Sequence, residues 1–181
     1  MKYESGQAYS LITYNGFTPK IHPSAFILEG VRVIGDVEIG SYSSVWYNSV
    51  IRGDVNFIRI GNRTNIQDLS MLHVTHTCCP LTIGDNVTVG HSVSIHGATI
   101  KNNILIGIGA NVLDKAIINS NSLIAAGTLI KERFEVPEGV LVAGVPGKII
   151  RDLSIEEIEN ITENANNYVK YLTSYRSHLI Y

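Results

Sequence analysis

Aliphatic residues recur every six positions along most of this chain. Isoleucine or valine stands at Ile21, Ile27, Val33, Ile39, Val45 and Ile51. After a short insertion the beat resumes at Ile60, Ile66 and Leu72, and after another at Ile83, Val89 and Ile95. It then drops one residue and runs through Ile100, Ile106, Val112, Ile118, Ile124 and Ile130. Four residues after most of these stands a small or β-branched residue: Ala25, Val31, Val37, Ser43, Ser49, Val55, Thr64, Ser70, Val87, Val93, Thr99, Ala110, Ala116, Ser122 and Thr128. A fixed short period over most of a chain points to a stacked repeat architecture, and hexapeptides are a β-helix signature.

Six extended residues span ~20 Å. If each hexapeptide is one flat face ending in a corner, three make a triangular coil of eighteen residues. Coils stacked ~4.8 Å apart pair in parallel, and every beat residue points into a shared core. Small residues at the second inward position suit the corners of a narrow prism. A helical reading fails because six residues are far from a whole number of turns, and a sandwich would need regular hairpins. The pattern predicts an all-β parallel β-helix over residues 21–131.

The rest of the chain flanks that prism within a single domain, 1–181. Residues 1–20 lie outside the beat and form a leading segment over the first coil, with Tyr9, Tyr14 and Phe17 covering its open edge. Residues 132–153, with Pro137, Gly139, Gly144, Pro146 and Gly147, read as an irregular connector leading away from the prism. Ser154-Ile155-Glu156-Glu157 is a capping box that starts a helix over 154–178. Ile155, Ile158, Ile161, Ala165, Tyr168, Leu172 and Tyr175 form its apolar stripe, which docks on the solenoid.

Bulk properties narrow the function. A net charge of −2 gives no electrostatic footprint for nucleic acid. No apolar run approaches the ~18 residues of a membrane span, and Met1–Ser10 has no leader character, so a cytoplasmic protein is expected. The two cysteines, Cys78 and Cys79, are adjacent and cannot staple separate parts of a fold.

Counting around the triangle puts Val33, Ile51, Leu72, Ile95 and Val112 on one face. The residue after the beat is then Arg52, His73 and His96 in successive coils, a single column. Two imidazoles one coil apart can converge on a metal ion through Zn–N bonds of ~2.0–2.1 Å. A second column, two after the beat on another face, holds Asp68 and His91. Faces of a prism diverge, so His91 meets His73 and His96 only across an interface between copies. The expectation is a homotrimer with three shared three-histidine sites. Three histidines with an open position are a catalytic arrangement of zinc. Arg52 has two readings here, a role at the site or an interface salt bridge. The loop 74–82 carries His76, Cys78 and Cys79 at a spacing that matches no usual zinc pattern, so it reads as a loop bordering the cleft.

Arg52-Gly53-Asp54, Asn65-Ile66-Gln67-Asp68, His73, Gly90-His91 through His96, and the later Val145-Pro146-Gly147-Lys148 with its following helix resemble the γ-class carbonic anhydrases over nearly the whole chain. The resemblance implies a left-handed β-helix, an exception to the usual crossover hand, and a trimer with metal at its interfaces. It implies His73, His91 and His96 as ligands of zinc, iron(II) or cobalt(II). Gln67 and Asn65 would orient water and CO2 or bicarbonate, and Arg52, Asp54 and Asp68 would support the ligands at the interface. Tyr168 is expected to reach the cleft as a hydrogen-bonding group.

The reaction so implied is reversible CO2 hydration by a metal-bound hydroxide, the ion lowering the pKa of its water from 15.7 to ~7. This chain departs from the best-known archaeal form of the family. Val55 follows Asp54 where that form has a glutamate, and the loop 74–82 holds no acidic residue to shuttle protons. His76 is the candidate in its place, with an unperturbed pKa of ~6.5 suited to the task. Two other readings stand beside the hydratase. One is an acyl-CoA thioesterase or acyltransferase of the same fold, and the other is a non-catalytic metal-binding trimer.

Overall fold

The computed structural model describes residues 9–178. The hexapeptide beat becomes three columns of stacked side chains, one per face of a parallel β-solenoid of about seven turns. On the first face Val33, Ile51, Leu72, Ile95, Val112 and Ile130 lie one upon another. The second runs Ile21, Ile39, Ile60, Ile83, Ile100 and Ile118, and the third Ile27, Val45, Ile66, Val89, Ile106 and Ile124. Apart from half-buried Ile21, these residues form one continuous core. The corners need left-handed backbone, which asparagine tolerates better than most residues. Asn48, Asn86, Asn103 and Asn121 all take positive φ there.

The ladder is longer than its sequence pattern suggests. Val136 stacks on Ile118 and Val142 on Ile124, so two further rungs follow Ile130. Residues 132–153 are therefore no irregular connector. They carry strands Glu135–Val136 and Val140–Ala143, and Lys148–Asp152 pairs antiparallel with the latter to close the stack. Glycine and proline mark the corners and the return, not a departure from the prism.

An insertion and a deletion in the beat move two expected corner residues. The strand Val50–Ile60 runs through a corner with a shift of register. Val55 is thereby turned outward, 38% exposed, and Ile58 fills the inward place between Val37 and Leu81. Where the beat drops a residue, Ala98 takes the corner instead of the half-buried Thr99.

At the leading end, Ser10–Ile12 pairs in parallel with Arg32–Ile34 and covers the open edge with main chain. Tyr9, Tyr14 and Phe17 stay exposed and do not do the covering. Residues 1–8 of the leading segment lie outside the described residues.

The helix Ile155–His178 starts at its capping box. The Ser154 hydroxyl accepts from Glu157 N–H at 3.2 Å, and the Glu157 carboxylate accepts from Ser154 N–H at 2.9 Å. Ile161, Ala165 and Leu172 are buried, whereas Ile155 is 78% exposed and outside the stripe. The docking cluster centres on Trp46, whose ring meets Tyr168 and Tyr175 edge-on at 5.4 and 5.1 Å. Among the described residues no helix is long and apolar enough to cross a membrane.

Candidate metal centre

Pairing of Val50–Ile60, Met71–His73 and Ser94–His96 puts Arg52 opposite His73 and His73 opposite His96. Strand spacing brings the two imidazoles together, with ring centroids 4.9 Å apart. His73 Nδ1 and His96 Nε2 face each other at 3.0 Å. The outer nitrogens point to carboxylates: His73 Nε2 lies 3.0 Å from Asp54 Oδ1, and His96 Nδ1 lies 2.7 Å from Asp114 Oδ1. Arg52 forms an ion pair with Asp54 in its own chain, and the Thr75 hydroxyl donates to Asp114 Oδ2 at 2.7 Å.

The charges follow from these contacts. Burial alone would raise Asp54, but hydrogen bonds from Arg52 and His73 outweigh it and hold the carboxyl below the ordinary range. Asp114 is held low against burial by His96 and Thr75. For His73, burial disfavours the charged ring more than the bond to Asp54 favours it, so its pKa falls below the usual histidine value. Two ionised carboxylates can only accept, so the outer ring nitrogens carry the hydrogens. Both facing nitrogens then present lone pairs to the same gap. That gap needs a cation, either one shared proton or a metal ion.

His91 stands elsewhere. It follows Val89 on the third face, at the corner where Ser92 turns with φ 57, and its Nδ1 lies 2.9 Å from Asp68 Oδ2. Its side chain is 47% exposed. Among the described residues of one chain, no three histidine, cysteine, aspartate or glutamate side chains converge on one point.

Asn65 and Gln67 are buried on the third face and joined to each other. Gln67 Nε2 donates to Asn65 Oδ1 at 3.1 Å, and Asn65 Nδ2 to Thr88 Oγ1 at 2.9 Å. Gln67 opens on a groove of about 360 Å³ between this face and the helix, floored by Gly107, Ile108 and Ala125. Tyr168 packs on Trp46, with its phenol pushed up first by burial and then by the charge of Asp68.

The expected site residues therefore divide between two faces: Arg52, Asp54, His73 and His96 on one, and Asn65, Gln67, Asp68, His91 and Tyr168 at the other. Asp114 and Thr75 are additions that sequence reasoning missed. The available signal was a carboxylate two residues after the beat at Val112, one coil beyond His96. His76 is exposed on the short hairpin bridged between Thr75 and Cys79 and shares a cavity of about 360 Å³ with Asp54. The sulfurs of Cys78 and Cys79 are joined within that hairpin.

Fold and site together define a hexapeptide-repeat solenoid bearing a stacked histidine pair with carboxylate support. The family model for bacterial transferase hexapeptide (six repeats) matches residues 18–53. Gamma carbonic anhydrase 2, mitochondrial, of Arabidopsis thaliana is 43% identical over 157 residues, 84% of this chain and 56% of that protein. A probable carbonic anhydrase of Methanocaldococcus jannaschii is 47% identical over 144 residues, 80% of this chain and 90% of that one. The chain thus spans just over half the length of the plant relative and most of the archaeal one. A solved structure of a putative acetyltransferase from Bacillus cereus superposes with a TM-score of 0.91 at 40% identity, covering 94% of this chain and 98% of that one. The chain belongs to the γ-class carbonic anhydrase family of hexapeptide-repeat proteins.

Proposed function

We propose that this protein is a carbonic anhydrase-like enzyme that hydrates CO2 reversibly at metal sites shared between subunits of a homotrimer. His73 and His96 come from one subunit and His91 from the next. The observation that carries this reading is the facing pair His73 Nδ1 and His96 Nε2 at 3.0 Å, each ring with its other nitrogen against a carboxylate. Two Zn–N bonds of ~2.0–2.1 Å meeting at a tetrahedral angle separate their nitrogens by ~3.3 Å, close to this spacing. The donor set therefore fits a divalent ion of zinc, iron(II) or cobalt(II). Such an ion supplies Lewis acidity, which makes water acidic enough to yield hydroxide near neutral pH.

The protein's own residues do the rest. Asp54 and Asp68 orient His73 and His91, and Arg52 keeps Asp54 ionised. Asn65 fixes the amide of Gln67, which positions CO2 or bicarbonate. Tyr168 adds a hydroxyl beside Asp68, and His76 carries the proton to solvent from beside Asp54. Exposed Leu69, Met71 and Leu113 flank the two histidine columns, and a neighbouring subunit would cover this apolar surface.

Stopped-flow CO2 hydration, after reconstitution with zinc or anaerobically with iron(II), tests the proposal. Metal-dependent hydration that is lost in His91→Ala is the expected result. A rate no higher than buffer in both forms, with metal bound, overturns it. The second reading, an acyl-CoA enzyme, is favoured by the likeness to the B. cereus putative acetyltransferase. Metal-independent binding of coenzyme A would select it.

A further inference from the structure

Asp54 and Asp68 account for the orientation of His73 and His91, but the third histidine has its own carboxylate. We propose that Asp114, steadied by Thr75, is the positioning residue that holds His96 with Nε2 presented as a metal donor. The proposal rests on the metal-site reading above and deepens it.

Three features of the structure converge on Asp114. Its Oδ1 lies 2.7 Å from His96 Nδ1, short for a hydrogen bond from nitrogen and typical of a charged acceptor. This contact commits the hydrogen to Nδ1 and leaves the lone pair on Nε2, the nitrogen that faces His73. The other oxygen accepts the Thr75 hydroxyl at 2.7 Å, which removes the carboxylate's freedom to rotate away. Thr75 is itself fixed at the base of the hairpin, its N–H donating to the Cys79 carbonyl at 3.1 Å.

The third feature is Gly97, directly after His96. A Cβ at this position would fall 2.3 Å from Asp114 Oδ1 and 2.7 Å from Cys79 Cβ. Gly97 also turns with φ +52, a region that side chains rarely adopt. The absence of a side chain there opens the space through which the carboxylate reaches the ring. A carboxylate that only pinned the hairpin would need its bond to Thr75 and not the contact with His96.

Supporting partners of ligating histidines typically govern 10- to 100-fold of metal affinity. Zinc affinity measured by chelator competition should fall by about that factor in Asp114→Ala. The fall should be smaller in Asp114→Asn, which keeps an oxygen acceptor for Nδ1–H, and smaller again in Thr75→Val. The metal-free Tm should stay unchanged in all three, and the visible spectrum of the cobalt-loaded protein should change in Asp114→Ala. His91→Ala is the reference variant. Native zinc affinity in Asp114→Ala, where His91→Ala has lost it, overturns the positioning role and leaves the metal site standing. Native affinity in both overturns the metal-site reading itself. A loss of affinity matched by a fall of metal-free Tm in Asp114→Asn and Thr75→Val also overturns the proposal, since it marks a purely structural contact.

Discussion

His73 and His96 point one ring nitrogen each into the same gap, 3.0 Å apart, while the other nitrogen of each is held by its own aspartate. In the proposed site this pair supplies two of the three histidines. The third, His91, lies on another face of the prism, and this separation makes the assembly testable.

Subunits carrying His73→Ala and subunits carrying His91→Ala should each be inactive alone. In mixed trimers of a cyclic assembly, one interface in each mixed ring keeps His73 and His96 from one chain and His91 from its neighbour. Random mixing should restore roughly a quarter of the native sites. Zinc content and CO2 hydration both measure this. No recovery in verified mixed trimers would place all three ligands in one chain.

Gly90 precedes His91, and a Cβ there would fall 2.8 Å from the Ile108 nitrogen and 2.9 Å from the Ile106 oxygen. Main chain cannot give way as a side chain does. Gly90→Ala should cost ~1–3 kcal/mol of stability through overpacking, and it should weaken zinc binding further by displacing His91. Denaturant unfolding and chelator competition on the same samples separate the two effects.

The single tryptophan, Trp46, is the centre of the helix docking cluster. Trp46→Ala should cost ~3–5 kcal/mol, the usual range for emptying a buried aromatic position. Urea unfolding followed by circular dichroism measures it. A cost below ~1 kcal/mol would mean that the neighbouring rings do not depend on it.

Glu157 has its carboxyl lowered to about 2, first by its hydrogen bonds from Arg151 and then by Ser154 N–H. A depressed folded value means that its contribution is present above the ordinary glutamate value of ~4.3 and disappears as pH falls through about 2. Helical ellipticity in acid titration should decline across this window. Glu157→Gln should start from a weaker helix terminus and lack that step.

His76 is the exposed imidazole next to Asp54 in a loop without acidic residues. His76→Ala should lower the hydration turnover in dilute buffer, and added imidazole should restore it. Turnover that is equal to native at every buffer concentration would remove His76 from the proton path.

Much of this molecule was legible in its sequence, and the reason is the period. A six-residue repeat decides which side chains face inward, and three repeats per coil decide which of them stack. Val33, Ile51, Leu72, Ile95 and Val112 on one face, and Arg52, His73 and His96 beside them, follow from counting alone. The capping box at Ser154 and Glu157 is a local motif and forms locally. Counting fails where an insertion changes the register, as at Val55 and Ile58. It also fails where Pro137 and Gly139, at an ordinary corner between Val136 and Val142, resemble an exit from the prism.

The sequence by itself determined the solenoid, its faces and the two histidine columns, because inward and outward positions are set by covalent spacing. Only the tertiary structure decided that Asp114 and Thr75 hold His96, that Asn65 and Gln67 lie buried on the face against which the helix docks, and that Ile155 lies outside the packed stripe. Those contacts join residues from different coils and the helix. Their partners are chosen by stacking register and by the space left at positions such as Gly97, which no local repeat encodes.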